Sequence, residues 1–360
     1  METNLGQSTS IWMRAMRPSY SKLAQNLTAD VCVVGAGIAG ITTAYLLGQQ
    51  GKSVVILDDG PVGGGQTERT TAHLASAIDD GYAEIERLHG ERGAQIAAES
   101  HTTAIDLMEK IVRQENVDCG FERVDGYLFS PPGESPELLK REFDAAKRAG
   151  LAAVELVERA PIKHFDTGPA LRFPRQGQFH PLRYLSSLSA AIVRNRGSIF
   201  TDTHVTEISG NTPALVRTSE GFEIRAAAVV VATNTPINDL VAIHTKQAAY
   251  LTYVIGARVP KGSVTRALFW DTLDPYHYVR TQSGEISEEF LIVGGEDHKT
   301  GQSDDASERY ARLEAWTRER FPMIEEVVYR WSGQVMEPID GLGFIGRNPL
   351  DKDNIYVVTG

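Results

Sequence analysis

The feature that most constrains this chain is a glycine-rich turn between a buried strand and a helix. An apolar run at 31–34 precedes the turn, apolar residues at helical spacing follow over 41–50, and a second apolar run covers 54–57. Continuous apolar runs are typical of parallel strands that are buried on both faces, so the segment is interpreted as a compact β-α-β unit. Six consecutive residues form the turn: Gly35, Ala36, Gly37, Ile38, Ala39 and Gly40.

The turn has the glycine spacing of a dinucleotide-binding loop. Gly35 permits a tight turn, Gly37 lets the backbone approach a pyrophosphate, and Gly40 allows the helix to pack closely on the strand. The helix N-terminus offers unpaired N–H groups and the positive end of its dipole to the phosphates. Asp58 ends the second strand, where an acidic side chain accepts hydrogen bonds from ribose hydroxyls, and Asp59 is the alternative. A purely structural turn is the competing interpretation of the glycines alone.

Two further segments favour FAD over NAD, which shares this fingerprint. The stretch 63–73 follows the acidic residue directly and combines glycines, hydroxyls and one arginine, as a second contact with a long diphosphate cofactor requires. A solvated loop with a helix cap is the alternative. The run 229–234 is a buried strand that ends in small polar residues, where the chain can pass close to a cofactor. The predicted cofactor-binding residues of these segments are Gly65, Gln66, Thr67, Arg69, Thr70, Thr71, Ala72, His73, Ala232, Thr233 and Asn234.

The rest of the chain alternates between helical and strand patterns. Helices are predicted over 84–115, 136–150, 181–196 and 304–322, and buried strands at 226–232 and 355–358. Between 250 and 294 the period drops to two and aromatic residues accumulate, which predicts an antiparallel sheet. We therefore predict a mixed α/β fold, with a Rossmann-like FAD-binding domain and a second α+β substrate domain built on that antiparallel sheet. The FAD-binding domain is assigned to 28–83, 171–235 and 328–360, and the substrate domain to 84–170 and 236–327.

The composition excludes several classes of function. The 360 residues include 36 Lys and Arg against 47 Asp and Glu, a formal net charge of −11, without a dense basic run, so we predict no nucleic-acid partner. The two cysteines, Cys32 and Cys119, belong to no CxxC pair, so neither a metal site nor a disulfide is expected. Residues 1–10 are polar, and no apolar run approaches the roughly 20 residues of a membrane helix. We therefore expect a cytoplasmic protein with no membrane span.

Several runs of the sequence resemble the D-amino-acid oxidase family, which includes glycine oxidase, sarcosine oxidase and amine-oxidising relatives. The runs are ADVCVVGAGIAGITTAYLL at 29–47, VVILDDG at 54–60, GGQTERTTAHL at 64–74, FHPLRYL at 179–185, HVTEI at 204–208, AAAVVVATN at 226–234, FLIVGGEDH at 290–298 and WSGQVMEPIDGLGFIGRNP at 331–349. They span nearly the whole chain. The resemblance implies FAD as the cofactor and oxidation of a C–H bond next to an amine nitrogen. It also implies that Val205 contacts the adenine through its backbone and that residues 67–74 run past the phosphates towards the flavin ring.

Two departures from the family pattern bear on function. Glycine-oxidase-like members hold the substrate carboxylate with an arginine in a segment resembling 331–341, and Val335 occupies that position here. Valine cannot form a bidentate pair with a carboxylate, which favours an amine or a carboxylate that is held elsewhere. The family also continues beyond a strand like the one that ends at Gly360, so we expect a C-terminally truncated chain. The runs DPYHYVR and GGEDHKTG resemble relatives that carry a C-terminal Rieske iron–sulfur domain.

Polar aromatic residues of the predicted sheet are the candidates on the substrate side: Tyr253, Tyr276, His277, Tyr278 and Arg280. In a strand, Tyr276, Tyr278 and Arg280 share one face and His277 takes the other. The tyrosines would enclose a substrate and Arg280 would supply a charge, whereas cross-strand aromatic pairs with a solvated arginine are the alternative. His73 lies in a segment through which some family members tether the flavin, and a histidine that only packs near FAD is the alternative.

The predicted function is an FAD-dependent oxidoreductase that oxidises a CH–NH or CH–NH2 donor, an amine or amino acid, by hydride transfer to the flavin. Water then hydrolyses the imine, and the protein supplies orientation and electrostatics. The electron acceptor is oxygen or a redox partner. Two alternatives are kept: a flavin dehydrogenase that passes electrons to an iron–sulfur or quinone partner, and a non-catalytic flavin-binding electron-transfer subunit.

Overall fold

The structure is a computed structural model, which describes residues 8–238, 243–284, 287–349 and 351–360. The predicted polar stretch at 1–10 therefore lies largely outside the described residues. The α-helices of the described part are α1 (Ile38–Gln49), α2 (Tyr82–Gln114), α3 (Glu137–Arg148), α4 (Pro181–Arg194) and α5 (Ala306–Arg320). Helix α2 is interrupted at Gly90, whose φ of 72° is not helical.

The described residues also contain the strands of two sheets. In chain order they are β1 (Leu27–Val34), β2 (Val54–Leu57), β3 (His73–Leu74), β4 (Glu122–Phe129), β5 (Glu155–Val157), β6 (Ala170–Gln178), β7 (Ser198–Phe200), β8 (Val205–Ser209), β9 (Ala214–Thr218), β10 (Glu223–Val231), β11 (Gln247–Val259), β12 (Leu268–Asp271), β13 (His277–Ser283), β14 (Glu289–Lys299), β15 (Val327–Pro338), β16 (Phe344–Arg347) and β17 (Ile355–Thr359).

The first sheet contains the β-α-β unit and is parallel at its centre. Its strands lie in the order β16-β17-β10-β1-β2-β7, and the antiparallel pair β8–β9 joins it beside β10. Val31 pairs with both Val54 and Ala228, which places β1 between β2 and β10. Side chains on one face of β1, such as Val33, pack with α1 and α4. Cys32 and its neighbours on the other face pack beneath the β8–β9 hairpin. Burial on both faces explains the continuous apolar runs.

The second sheet has the strand order β15-β11-β14-β13-β12-β4-β6-β3, with β5 beside β6. Its neighbouring strands are antiparallel except for β12 and β4, which are parallel. Side chains alternate between two cores along β11: Tyr253 and Ile255 pack with Leu313 of α5, whereas Val254 on the opposite face joins the core of the first sheet. We call these the α5 face and the inner face of the second sheet. The inner face borders the glycine-rich turn.

The mixed α/β architecture confirms the predicted fold class. The division into domains stays a prediction, and the sheet pairing departs from its boundaries. Strands β6 and β15 belong to the second sheet, although they fall mainly within the ranges 171–235 and 328–360 assigned to the FAD-binding domain. Periodicity predicts that a segment is a strand but not which sheet it joins, because the pairing partner lies far away in the sequence.

Candidate active site

The three glycines of the turn are required for different reasons. Gly35 has a φ of +108°, and a Cβ there would lie 2.3 Å from the carbonyl oxygen of Ala232 at the end of β10. A Cβ on Gly40 would lie 1.9 Å from the carbonyl oxygen of Gly35. At Gly37 a Cβ would meet only the Thr67 hydroxyl, at 3.1 Å. The first two glycines therefore permit the close packing of strand, turn and helix, and Gly37 marks the open side of the turn.

The acidic residue after β2 is built into this turn. The Asp58 carboxylate accepts hydrogen bonds from the backbone N–H groups of Ala36 and Gly60. Burial raises the pKa of Asp58, and these two hydrogen bonds oppose the rise. Asp59 is instead exposed, with its carboxylate 3.5 Å from Nδ1 of His204. Asp58 is therefore the better placed of the two predicted acids.

The segment 63–73 packs against the same turn. The Thr67 hydroxyl accepts a hydrogen bond of 3.1 Å from the N–H of Ile38 at the start of α1. Ala72 has a φ of +58°, a left-handed conformation that is unusual for a residue with a Cβ. Nη1 of Arg280 donates hydrogen bonds to the carbonyl oxygens of Thr71, at 3.2 Å, and Ala72, at 2.8 Å. These bonds hold the segment against the inner face of the second sheet.

His73 and Asn234 are the last residues of the two predicted cofactor segments, 65–73 and 232–234. Both segments meet the inner face of the second sheet. The His73 ring packs edge-on against Tyr278, with ring centroids 5.6 Å apart. Burial and the charge of Arg280 lower the pKa of His73 to about 3, so the imidazole is neutral, and its buried Nε2 has no partner. Asn234 has a φ of +65°, and its carbonyl oxygen accepts a hydrogen bond from the Thr359 hydroxyl.

A cavity of about 250 Å³ lies where these segments meet the second sheet. It is lined by Gln66, Arg69, Thr70, Thr71, Asn234, Thr252, Tyr278, Gly333, Gln334, Val335, Met336 and Gly360. The structure thus brings together residues from the two cofactor segments and from strands β11, β13 and β15. Val205 lies farther along the first sheet, buried at the start of β8 and directly after His204.

The predicted substrate-side residues divide between the two faces of the second sheet. Tyr276, Tyr278 and Arg280 lie on the inner face, and the rings of the two tyrosines are 5.5 Å apart. Tyr253 and His277 lie on the α5 face, away from the cavity. There Tyr253 packs against His298 and Tyr310, and His277 stacks on Trp316 at 4.2 Å, with Nδ1 3.1 Å from Asp271.

Arg280 is fully buried and does not line the cavity. Besides the bonds to residues 71 and 72, its guanidinium donates to Gln282 and to the carbonyl oxygen of Phe179, and it lies over the Trp12 ring. The alternative of a solvated Arg280 is therefore wrong, because β3, β6 and the N-terminal segment cover this part of β13. Its donors are used by backbone carbonyl groups and by the Gln282 side chain of the protein itself.

Several residues on the inner face were not predicted from the sequence. Thr252, Gln334 and Met336 line the cavity, and a second cavity of about 390 Å³ contains Asp79 together with Tyr276. The alternation along β11 contained a signal for Thr252, because it lies one position from the predicted Tyr253 and so faces the opposite side. Asp79 lies in an irregular segment, where spacing predicts no direction for a side chain.

Metal sites and membrane spans are two other kinds of feature to consider in the described residues. No group of three or more His, Cys, Asp or Glu side chains that could hold a metal ion is present within the described ranges. In the same part of the chain, no helix is long and apolar enough to cross a membrane.

A comparison of the sequence with protein families agrees with the function that this site suggests. The site comprises the glycine-rich turn, Asp58 and the cavity. The DAO family, described as FAD dependent oxidoreductase, matches residues 30–360. This chain belongs to that family. It is therefore an FAD-dependent oxidoreductase, an enzyme rather than a passive flavin-binding subunit.

Relatives of known name and structure cover most of the chain. YhfW of Bacillus subtilis, named as a Rieske 2Fe-2S iron–sulfur protein, is 30% identical over 345 residues, which is 95% of this chain and 67% of YhfW. γ-Glutamylputrescine oxidoreductase of Escherichia coli is 25% identical over 351 residues, 95% of this chain and 81% of that protein. The crystal structure of glycine oxidase from Geobacillus kaustophilus matches with a TM-score of 0.75 at 19% identity, covering 93% of this chain and 90% of that chain, so the two share a fold.

The geometry of the turn fits FAD. Gly37 leaves the N-terminus of α1 open to a pyrophosphate, since only the Thr67 hydroxyl lies near the position of a Cβ. Asp58 lies at the end of β2 beside the turn, as recognition of a ribose requires. Segment 65–73 leads from the turn to the cavity and to Tyr278. The residues that we expect to hold FAD are therefore those of the turn, Asp58 and the two segments that border the cavity.

The inner face around the tyrosines is rich in carboxylates. Burial raises the pKa of Asp297 to about 6, and the charge of Asp79 adds to the rise. Burial, Asp297, Asp80 and Asp79 raise the pKa of Glu337 to about 7. Burial and the same negative field raise the pKa of Tyr276 well above its ordinary value. No ion pair within 4.0 Å joins Asp79, Asp297 or Glu337 to a cation of the described residues.

Proposed function

We propose that this enzyme oxidises an amine, a CH–NH or CH–NH2 donor, in preference to a simple α-amino acid. The observation that carries the proposal is the position of Val335, which lines the cavity where glycine-oxidase-like enzymes are expected to place an arginine. Val335 is 43% exposed at the cavity and offers no charged partner, so a substrate carboxylate that loses its water on binding there is disfavoured.

The cations near the cavity do not replace that arginine. The guanidinium of Arg280 is buried against the carbonyl oxygens of Thr71 and Ala72, and Arg280 does not line the cavity. Arg69 lines the cavity, but its Nη1 donates to the Ser8 hydroxyl and to the Ser332 carbonyl oxygen. The negative field of Asp297 and Glu337 also favours a cationic ammonium group over a carboxylate.

The chemistry that FAD supplies when it is bound is the acceptance of a hydride from carbon. The protein then has to bind the amine, exclude water and accept the proton that the ammonium group releases. Tyr278 and Tyr276 present aromatic faces and hydroxyls on the inner face, Met336 and Val335 add apolar surface, and the nearby carboxylates attract the positive charge. The oxidised product would be an imine, which water hydrolyses. The similarity to γ-glutamylputrescine oxidoreductase supports an amine substrate.

Anaerobic flavin reduction with matched pairs of compounds tests the proposal. The pairs are phenylalanine with phenethylamine and ornithine with putrescine, with γ-glutamylputrescine as a further amine. We expect the amine of at least one pair to bleach the flavin absorbance at least tenfold faster than its amino acid. Val335→Arg should reduce that ratio, and Val335→Ile is the matched control that keeps an apolar side chain. Faster bleaching by the amino acids in the wild type would contradict the proposal.

The similarity to YhfW favours a second possibility for the electron acceptor. A relative named as a Rieske protein is consistent with electrons leaving the flavin through an iron–sulfur or quinone partner rather than through oxygen. Reoxidation of the amine-reduced flavin distinguishes these routes. Rapid reoxidation in air-saturated buffer with stoichiometric peroxide would indicate an oxidase. Slow reoxidation in air, with fast reoxidation by a soluble quinone, would indicate a dehydrogenase.

A further inference from the structure

Two consecutive glycines in β14 bring a tyrosine of β13 across the sheet. A Cβ on Gly294 would lie 2.2 Å from ring atoms of Tyr278 and 2.4 Å from its hydroxyl oxygen. The ring of Tyr278 therefore occupies the space that any other residue at 294 would fill. This places the Tyr278 hydroxyl 2.7 Å from the hydroxyl of Thr252 on β11. Tyr278 and Thr252 both line the cavity of about 250 Å³.

A β-bulge follows these glycines and directs Asp297 to the same face. The pairing of β11 with β14 shifts register between Leu251 and Tyr253. Gly295 and Glu296 have φ values of 152° and 60° at this point. A bulge adds one residue to a strand and changes the direction of a side chain, often near a functional site. As a result the Glu296 carboxylate points to Arg312 on the α5 face, whereas the Asp297 carboxylate is on the inner face with Thr252.

The Asp297 carboxylate is poorly satisfied in this position. The Thr252 hydroxyl, opposite the bulge, lowers the pKa of Asp297 by hydrogen bonding, while the buried oxygen Oδ1 has no hydrogen-bond partner. The arrangement is a chain of three groups, from the Tyr278 hydroxyl at the cavity through the Thr252 hydroxyl to a carboxylate that lacks a cationic partner. A carboxylate with few donors is a stronger base than a solvated one.

We propose that Tyr278, Thr252 and Asp297 form a proton relay that accepts a proton from the substrate ammonium group. This inference rests on the proposed amine oxidation. An N–H bond of the ammonium breaks as its proton passes to the Tyr278 oxygen. The Tyr278 hydroxyl proton passes to Thr252, and the Thr252 proton forms a new O–H bond on Asp297. The amine nitrogen keeps its electron pair, which hydride transfer from the neighbouring carbon to bound FAD would require. No tyrosinate forms, because each hydroxyl donates as it accepts.

Such an acceptor is needed because the substrate arrives protonated. An alkylammonium group has a pKa close to that of lysine, about 10.4, and only the neutral amine has an electron pair available. Asp297, with a pKa raised to about 6, is ionised at neutral pH and ready to accept the proton. Asp79 raises its proton affinity, His277 and Arg309 on the α5 side lower it, and the charge of Asp297 in turn raises the pKa of Glu337. The proton is lost to water after turnover.

The test compares the pH dependence of anaerobic flavin reduction at saturating amine, with the fastest amine of the panel above. In the wild type we expect the rate to be nearly constant above pH 7 and to fall as the pH falls through about 6. In Asp297→Asn the rate should be at least tenfold lower at pH 7 and should rise about tenfold per pH unit towards the pKa of the ammonium group. Thr252→Val should behave like Asp297→Asn, and Thr252→Ser should retain the wild-type profile.

Glu296→Gln is the matched control, because it removes the adjacent carboxylate that points to the other face.

A second measurement is independent of turnover. Infrared titration of the holoenzyme should show a carboxylic-acid band with a pKa near 6 that is absent in Asp297→Asn and shifted to higher pH in Thr252→Val, which lacks the donated hydrogen bond. If no amine reduces the wild-type flavin, the proposed function fails and the relay with it. If amines reduce the wild type but Asp297→Asn and Thr252→Val keep its pH profile, the relay alone is overturned.

Discussion

Gly35, Gly37 and Gly40 have the same side chain but different functions in the turn. Gly35 and Gly40 have no room for a Cβ because backbone carbonyl oxygens lie within 2.3 and 1.9 Å of its position. A Cβ on Gly37 would lie 3.1 Å from the Thr67 hydroxyl alone, so only that side chain must shift slightly, and the methyl group would occupy the open side where a pyrophosphate would lie. Substitution can therefore separate folding from cofactor binding.

We predict that Gly37→Ala folds but loses FAD, whereas Gly40→Ala is destabilised whether or not FAD is present. At Gly40 a methyl group must displace the backbone of the turn, and such overpacking costs about 1–3 kcal/mol. Thermal unfolding of the apoproteins and FAD titration by fluorescence quenching measure the two effects. Stoichiometric FAD in purified Gly37→Ala would contradict the placement of the pyrophosphate.

The neighbouring acids provide a second comparison of single residues. Asp58→Ala removes an acceptor from the N–H groups of Ala36 and Gly60 and from the expected ribose contact. We predict that FAD affinity falls by about 1.5–3 kcal/mol for each charged hydrogen bond lost. Asp59→Ala should leave the affinity unchanged, since Asp59 is exposed beside His204. Isothermal titration of the two apoprotein variants with FAD measures both affinities. A larger loss of affinity in Asp59→Ala than in Asp58→Ala would assign the ribose contact to Asp59.

Helix α4 begins with a histidine in place of the usual capping residues. Nδ1 of His180 accepts a hydrogen bond of 3.4 Å from the N–H of Arg183. Burial and the charge of Arg183 lower the pKa of His180 to about 4, so the ring is neutral and able to accept. A proton on the ring would remove this acceptor and add a positive charge near the positive end of the helix dipole.

We therefore predict that His180→Asn becomes stabilising relative to the wild type as the pH falls. Histidine in the unfolded chain binds a proton with a pKa of about 6.5, so between pH 6.5 and 4 the unfolded wild type holds more protons than the folded protein. The difference in unfolding free energy should grow by up to about 1.4 kcal/mol per pH unit in this window. Asp297 and Glu337 titrate with the opposite sign, but both variants contain them and their effect cancels. Denaturant unfolding at several pH values measures the difference, and a pH-independent difference would refute it.

Secondary structure and the nucleotide-binding turn were predictable because their signals are local. The partners within the β-α-β unit are still close in the sequence, 22 residues apart for Ala36 and Asp58, and glycine spacing has few alternative explanations once a strand and a helix flank it. The inner face of the second sheet was less predictable. Asp297 reaches it through a bulge, and a bulge is not visible as a change of period in the sequence. Arg280 was placed on the correct face, but its covering by β3, β6 and Trp12 depends on contacts that are distant in the sequence.

The expected FAD contacts come from widely separated parts of the chain, so FAD should stabilise the molecule as a whole. The segments are the turn at 35–40, Asp58, residues 65–73, Val205 and residues 232–234. A ligand that binds only the folded state adds about 2.7 kcal/mol to the free energy of unfolding at a concentration 100 times its Kd. We predict a corresponding rise in Tm when FAD is added to the apoprotein. Riboflavin, which lacks the pyrophosphate, should produce a much smaller rise, and an equal rise would argue against the role of the turn.

The interleaving of the two sheets has a consequence for how the protein is made. Strand β1 pairs with β10, and β10 pairs with β17, although the whole of β3–β6 and most of the second sheet are encoded between these strands. A ribosome delivers β1 and β2 long before β10 has left the exit tunnel. The exposed edge of β1 must therefore stay unpaired during much of translation, when it is able to pair with other chains.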